Sequence, residues 1–283
     1  TWVEKPGSGA NIMKNHLSTI LLLGVMAVGL TLLLYPSVSD YWNSFHQSRA
    51  IASYSESVAM MTQADYDRMW SEAEAFNLGA ARRNSINLPE EERAVYESLL
   101  NVSETGIMGY IEIPKISVSL PVYHGTEDSV LQIAVGHLDG TSLPVGGPST
   151  HCVLSGHRGL PSARLLTDLD KMTEGETFML HILNQTLTYE VDQIRIVEPQ
   201  ELNELQIIEN GDYCTLVTCT PYGINSHRML VRGVRTENRQ GVVHVTAEGL
   251  KIDPVLVVPF AAAPMLLILL TWVLITPGKK KKH

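Results

Sequence analysis

A mainly β domain, closed as a barrel or sandwich and held between two membrane-crossing segments, is the fold class that this 283-residue sequence predicts. Three observations carry that expectation. After residue 106 the chain breaks into short β-rich runs punctuated by Gly, Pro and Asp, with little helical patterning between them. Residues 40–77 contain no Gly or Pro and space their apolar residues at helical intervals. Near each end stands an uncharged apolar stretch long enough to cross a hydrocarbon core of about 30 Å.

The first of these stretches, residues 17–35, lies in a window from 15 to 39 without a full charge. Ser37-Val38-Ser39 offers a small-x-small cleavage pattern, but the apolar run exceeds the roughly 7–15 residues of a signal's core, so a retained anchor is expected. The second, residues 255–276, contains Pro259 and Pro264 and precedes Lys279 to Lys282. By the positive-inside rule that lysine run is cytoplasmic, as are Lys5 and Lys14, which leaves residues 40–253 outside. The expected organisation is a cytoplasmic segment at 1–16, an anchor at 17–35, a helical extension at 40–105 and a catalytic domain at 106–236. A linker at 237–254, the second span at 255–276 and a basic cytoplasmic tail at 277–283 complete it.

Within the extension, Val58, Met61, Tyr66, Met69, Ala73 and Phe76 mark the apolar face of one or two helices. Residues 79–88 read as polar and irregular. Pro89 followed by Glu90, Glu91 and Glu92 then resembles a helix start, with carboxylates at its positive end, for a short helix ending near Leu100. Candidate strands follow at 108–113, 118–123, 151–155, 177–182, 186–196, 213–218 and 229–234. Asn184-Gln185 reads as a tight hairpin, and 162–169 and 199–205 as helical turns.

Between residues 36 and 254 there are 29 acidic against 15 basic side chains. So acidic a middle argues against a nucleic-acid partner, which needs a basic face to displace counterions. Three cysteines, Cys152, Cys214 and Cys219, are too few for a disulfide-stapled fold.

Cys219 ends a β-rich run that Pro221 and Gly223 stop, so it sits where a rigid strand meets a loop. His157 occupies the same kind of junction after Cys152-Val153-Leu154-Ser155. A histidine beside a thiol can accept its proton, or pair with a thiolate as imidazolium and then protonate a leaving amine. Arg228, nine residues after Cys219, is permanently charged and forked, suited to a developing oxyanion or a substrate carbonyl. Each residue alone has a bland reading: a small buried thiol, a surface histidine, a surface ion pair.

Taken together, T-L-V-T-C at 215–219, P-Y-G-I-N-S-H-R at 221–228 and S-G-H-R-G at 155–159 resemble the sortase family, cysteine transpeptidases of Gram-positive cell surfaces. The helical extension, G-Y-I-E-I-P-K-I at 109–116, L-P-V-G-G at 143–147, H-R-G-L-P at 157–161 and the trailing apolar segment look like class C, the pilus-polymerising sortases. The resemblance implies an eight-stranded barrel with His157, Cys219 and Arg228 meeting in one groove. It implies as partners pilin subunits carrying an LPXTG-like sorting signal and an acceptor lysine, and no cofactor.

Many class C enzymes cover the site with a lid bearing an Asp-Pro-aromatic tripeptide. The corresponding stretch here, residues 78–100, has none. Another residue of the stretch then plugs the groove or the site stands open, and a weakly held, weakly inhibiting segment is expected. The competing readings are a sortase that anchors proteins to peptidoglycan and a non-catalytic scaffold for pilus assembly. A papain-like protease, whose Cys precedes its His, fits poorly because here His157 comes first. A metal site from Cys214, Cys219 and His227 lacks a second close pair. Cys152 and Cys214 each lie five residues before a candidate catalytic residue; the resemblance implies adjacent parallel strands, which would set the two at similar depths, and both are expected to be reduced packing residues.

Overall fold

The computed structural model describes residues 8–83 and 86–238. The second apolar segment, most of the linker and the basic tail lie outside the described residues. The described residues divide between two compact units, one holding residues 8–39 and the other residues 40–238.

Helix α1, Ser8–Ala59, takes in the first apolar stretch, with Pro36 inside it. Its part from Leu21 onward is long and apolar enough to cross a membrane, and Leu21, Leu22, Val25, Val28, Leu32 and Leu33 are exposed. After a break at 60–62 comes α2, Gln63–Arg83, opened by Thr62 and Asp65, whose side chains bond each other and each other's backbone N–H. This reciprocal arrangement satisfies donors that a helix start leaves orphaned. Helix α3, Glu90–Ser98, begins directly after Pro89 with three glutamates in its first turn, as the sequence reading expected. The irregular segment expected at 79–88 is shorter than that, because α2 continues through Gly79 to Arg83.

Eight strands close a barrel: β1 Ile107–Ile113, β2 Val118–His124, β3 Val135–His137, β4 Thr150–Ser155, β5 Thr177–Ile182, β6 Gln185–Val197, β7 Asp212–Thr220 and β8 His227–Thr236. Their order around the barrel is β1-β2-β3-β4-β7-β8-β6-β5, with β2/β3 and β4/β7 parallel and the other pairs antiparallel. Only seven strands were readable in the sequence. The missing β3 has three residues around a central glycine, too short to show an alternation. The hairpin lies one residue earlier than expected: Ile182 pairs with Gln185, so Leu183-Asn184 make the turn, with Leu183 at φ +50°. In place of a helical turn over 162–169, a single 3-10 turn occupies Leu169–Lys171; that expected near 199–205 falls at Asn203–Leu205.

Alternation along each strand sends one set of side chains inward. Ile111, Ile113, Leu154, Phe178, Leu180, Leu216 and Val231 are fully buried in the barrel interior. Burying each such side chain is worth about 1.5–3 kcal/mol relative to exposure. The segment joining α2 to β1 is pinned to this barrel. Tyr96 of α3 is buried, its hydroxyl lying 2.9 Å from His137 Nδ1 and accepting the Gly125 N–H at 3.0 Å. Arg83 pairs with Glu92, and Arg93 with Asp139 at 3.1 Å.

Candidate active site

The inward set on β7 is Cys214, Leu216, Thr218 and Thr220, all buried, so Cys219 shares the outer face with Val217. Across the β7/β8 ladder Cys219 stands directly opposite Arg228, and Val217 opposite Leu230. Residues directly opposite in an antiparallel pair present their side chains to one face about 4.5–5.5 Å apart at Cβ. The Arg228 guanidinium donates to the carbonyls of Asn225 and His227 at 3.3 and 3.2 Å and makes no carboxylate ion pair among the described residues.

His157 reaches the same end of the barrel through the parallel β4/β7 pair, whose last register match is Ser155 with Val217. Beyond it, Gly156 donates its N–H to Val217 O at 3.0 Å and its carbonyl accepts the Thr218 hydroxyl at 2.8 Å. His157 therefore leaves the sheet one residue after a point bonded to the two residues before Cys219. Its own carbonyl accepts the Leu166 N–H, and Gly159 donates to Thr167 Oγ1. Gly159 has φ +75°, and a Cβ there would meet the Tyr222 ring at 2.9 Å, so only glycine lets that ring lie against the loop. Tyr222, just after the cis Thr220–Pro221 peptide, thus ties the loop after Cys219 to the loop of His157. Neither this contact nor its partner glycine was singled out in the sequence.

Below Cys219 the outer face is apolar. Val153, Val197, Leu205 and Leu230 form a small cluster joined by Leu138, Val217 and Ile86. The cluster continues into a cavity of about 250 Å³ between Ile86, Asn87 and Gly140 on one side and Leu205 and Gln206 on the other, with His151 at its floor. Ile86 comes from the stretch expected to be loosely held. Its backbone carbonyl passes so close to Gly140 that a Cβ there would overlap it, and α3 beyond is held by Tyr96 and two ion pairs. From this stretch, which has no Asp-Pro-aromatic tripeptide, Ile86 packs against the apolar outer-face cluster.

The other two thiols face inward. Cys152 and Cys214 are register partners on β4 and β7, both buried and unbridged. Burial pushes the Cys214 thiol up. Because Cys214 and Cys219 lie on opposite faces of β7, they cannot share a metal ion, and no group of three ligating side chains occurs among the described residues. His151 is buried with Nδ1 2.9 Å from Gln206 O and Nε2 2.7 Å from Thr215 Oγ1, a pattern satisfied by the neutral ring.

A family model described as the sortase domain matches residues 111–236. Sortase D of Bacillus subtilis is 29% identical over 136 residues, which are 47% of this chain and 66% of that protein, just under two thirds of its length. Among solved structures, sortase C1 from Streptococcus agalactiae is 52% identical with a TM-score of 0.66, covering 67% of this chain and 99% of that one. The sortase C of Streptococcus pneumoniae, whose structure was described for its catalysis and pilin substrate specificity, is 43% identical with a TM-score of 0.59, covering 67% and 97%.

Proposed function

The chain belongs to the sortase family of cysteine transpeptidases, and from that premise we propose that it cleaves an LPXTG-like sorting signal and joins the released acyl group to a lysine of a pilin subunit. Cys219, its thiol proton passed to His157, attacks the threonine carbonyl of the Thr–Gly bond as a thiolate, and the tetrahedral oxyanion that forms is stabilised by Arg228. His157 protonates the departing glycine amine, leaving a thioester between Cys219 and the threonine. The acceptor lysine loses its proton to His157 and attacks the thioester, Arg228 again facing the oxyanion, and collapse frees the thiol with an isopeptide bond formed. No organic or metal group enters this scheme.

The observation that carries the reading is the pairing of Cys219 with Arg228 across β7/β8, beside the Gly156 junction from which His157 departs. Similarity to a sortase C studied for its pilin specificity supports a pilin over a peptidoglycan precursor as acceptor. The apolar part of α1 supports attachment to a membrane, and the lysines at 5, 14 and 279–282 are the ground for proposing that both termini lie in the cytoplasm and the catalytic domain outside. Incubating the chain with candidate pilins and mapping the crosslink by mass spectrometry tests the proposal. A Thr–Lys isopeptide that forms with the native chain and not with Cys219→Ala is the expected result. Ladders that persist with Cys219→Ala would favour the scaffold reading.

A further inference from the structure

Residues 40, 43 and 47 of α1 recur at the spacing of one helix face, and each spends a polar side chain on backbone of the barrel unit. Asp40 Oδ1 accepts the N–H of Arg164 at 2.7 Å, and Asn43 Nδ2 donates to the carbonyl of Ser162 at 2.8 Å. Gln47 Nε2 donates to Ile133 O at 2.7 Å, just before β3. The opposite side of this helix segment, with Tyr41, Trp42 and Phe45, is exposed.

Ser162 and Arg164 belong to the connection between β4 and the 3-10 turn at Leu169–Lys171, the connection that carries His157. Ala163, Leu165 and Leu166 from the same stretch are buried in the main core. The loop is therefore held from inside by apolar side chains and from outside by α1. Because the Leu166 N–H closes back on the His157 carbonyl at 3.2 Å, both sets of constraints reach the backbone that carries the His157 imidazole. A carboxylate on a backbone N–H is a charge-assisted bond, stronger than a neutral one.

The geometry points to Asp40 and Asn43 as positioning residues for His157, which makes the base of the membrane-proximal helix part of the working enzyme. This rests on the role proposed above for His157. The test uses the full chain in nanodiscs and compares Asp40→Ala, Asp40→Asn, Asn43→Ala and the Asp40→Ala/Asn43→Ala double variant with His157→Ala.

Each alanine variant is expected to lower kcat about three- to tenfold with KM within about twofold, on the scale of one lost hydrogen bond. Asp40→Asn keeps an oxygen for the Arg164 N–H and should recover most of the loss. The pH profile of Cys219 alkylation should move in the double variant in the direction that it moves in His157→Ala. A double variant with wild-type kcat beside an inactive His157→Ala overturns this inference alone, as does an Asp40→Asn no better than Asp40→Ala. Full activity in His157→Ala overturns both this inference and the reading beneath it.

Discussion

Replacing Ile86 by alanine should raise the rate at which the enzyme cleaves a short sorting-signal peptide. Ile86 packs against the outer-face cluster of Val153, Val197, Leu205 and Leu230, so a substrate that runs along that face would have to displace it. The substitution removes three carbon groups, each worth about 0.8 kcal/mol when fully buried. The side chain is only half-buried, which leaves about 1.2 kcal/mol less holding the segment in place. At about 1.4 kcal/mol per tenfold, the displaced state becomes roughly eightfold more populated. A fluorogenic LPXTG peptide read under kcat/KM conditions should show up to that increase, with little change in kcat at saturation. If kcat/KM is unchanged or falls while the melting temperature is retained, the segment does not compete with substrate and the reasoning fails.

Gly140→Ala attacks the same contact from the barrel side: its Cβ would overlap the Ile86 carbonyl, so peptide cleavage should rise while the melting temperature drops. A crystal structure with the segment unmoved would contradict this. Cys219→Ala should abolish thioester capture, seen as loss of the acyl-enzyme mass. His157→Ala and Arg228→Ala should reduce kcat by about two to three orders of magnitude with circular dichroism unchanged, and Arg228→Lys should not restore it, since an ammonium lacks the fork. Titration of the denatured chain without reductant should find three free thiols, one thiol only being the result against the packing role of Cys152 and Cys214. Burial lowers the His151 pKa below its ordinary 6.5, so the unfolded chain takes up the proton first as pH falls. The stability present above pH 6.5 should therefore decline below it, and a melting temperature flat down to pH 5 would refute the assignment.

The strand alternation on β7 and the stops at Pro221 and Gly223 were legible in the sequence, and so was the placement of Cys219 at a strand end. What faces it across the ladder was legible only as a spacing: Arg228 lies nine residues away through a turn whose register local sequence leaves open. β3 escaped because Val135-Gly136-His137 carries no periodicity, and Gly136 is there because a Cβ would meet the Gly125 carbonyl at 2.2 Å, a tertiary fact. Ile86 reads as one apolar residue in a polar stretch, and its role follows from what Gly140 permits. Asp40 and Asn43 bond backbone groups 124 and 119 residues away, and side-chain contacts with main chain leave no pattern in the partner's residue types.

The parallel union of β4 and β7 has a kinetic consequence. It joins residues 62 positions apart, as in the Thr218–Gly156 bond, and non-local pairings of this kind form late because a long loop must close before they contribute. Until then Cys219 lies on an unfinished sheet, without the β4 connection that carries His157 beside it. A newly made molecule thus passes through its most aggregation-prone stage before the His157 loop joins Cys219, and the arrangement proposed for catalysis arrives together with the completed barrel.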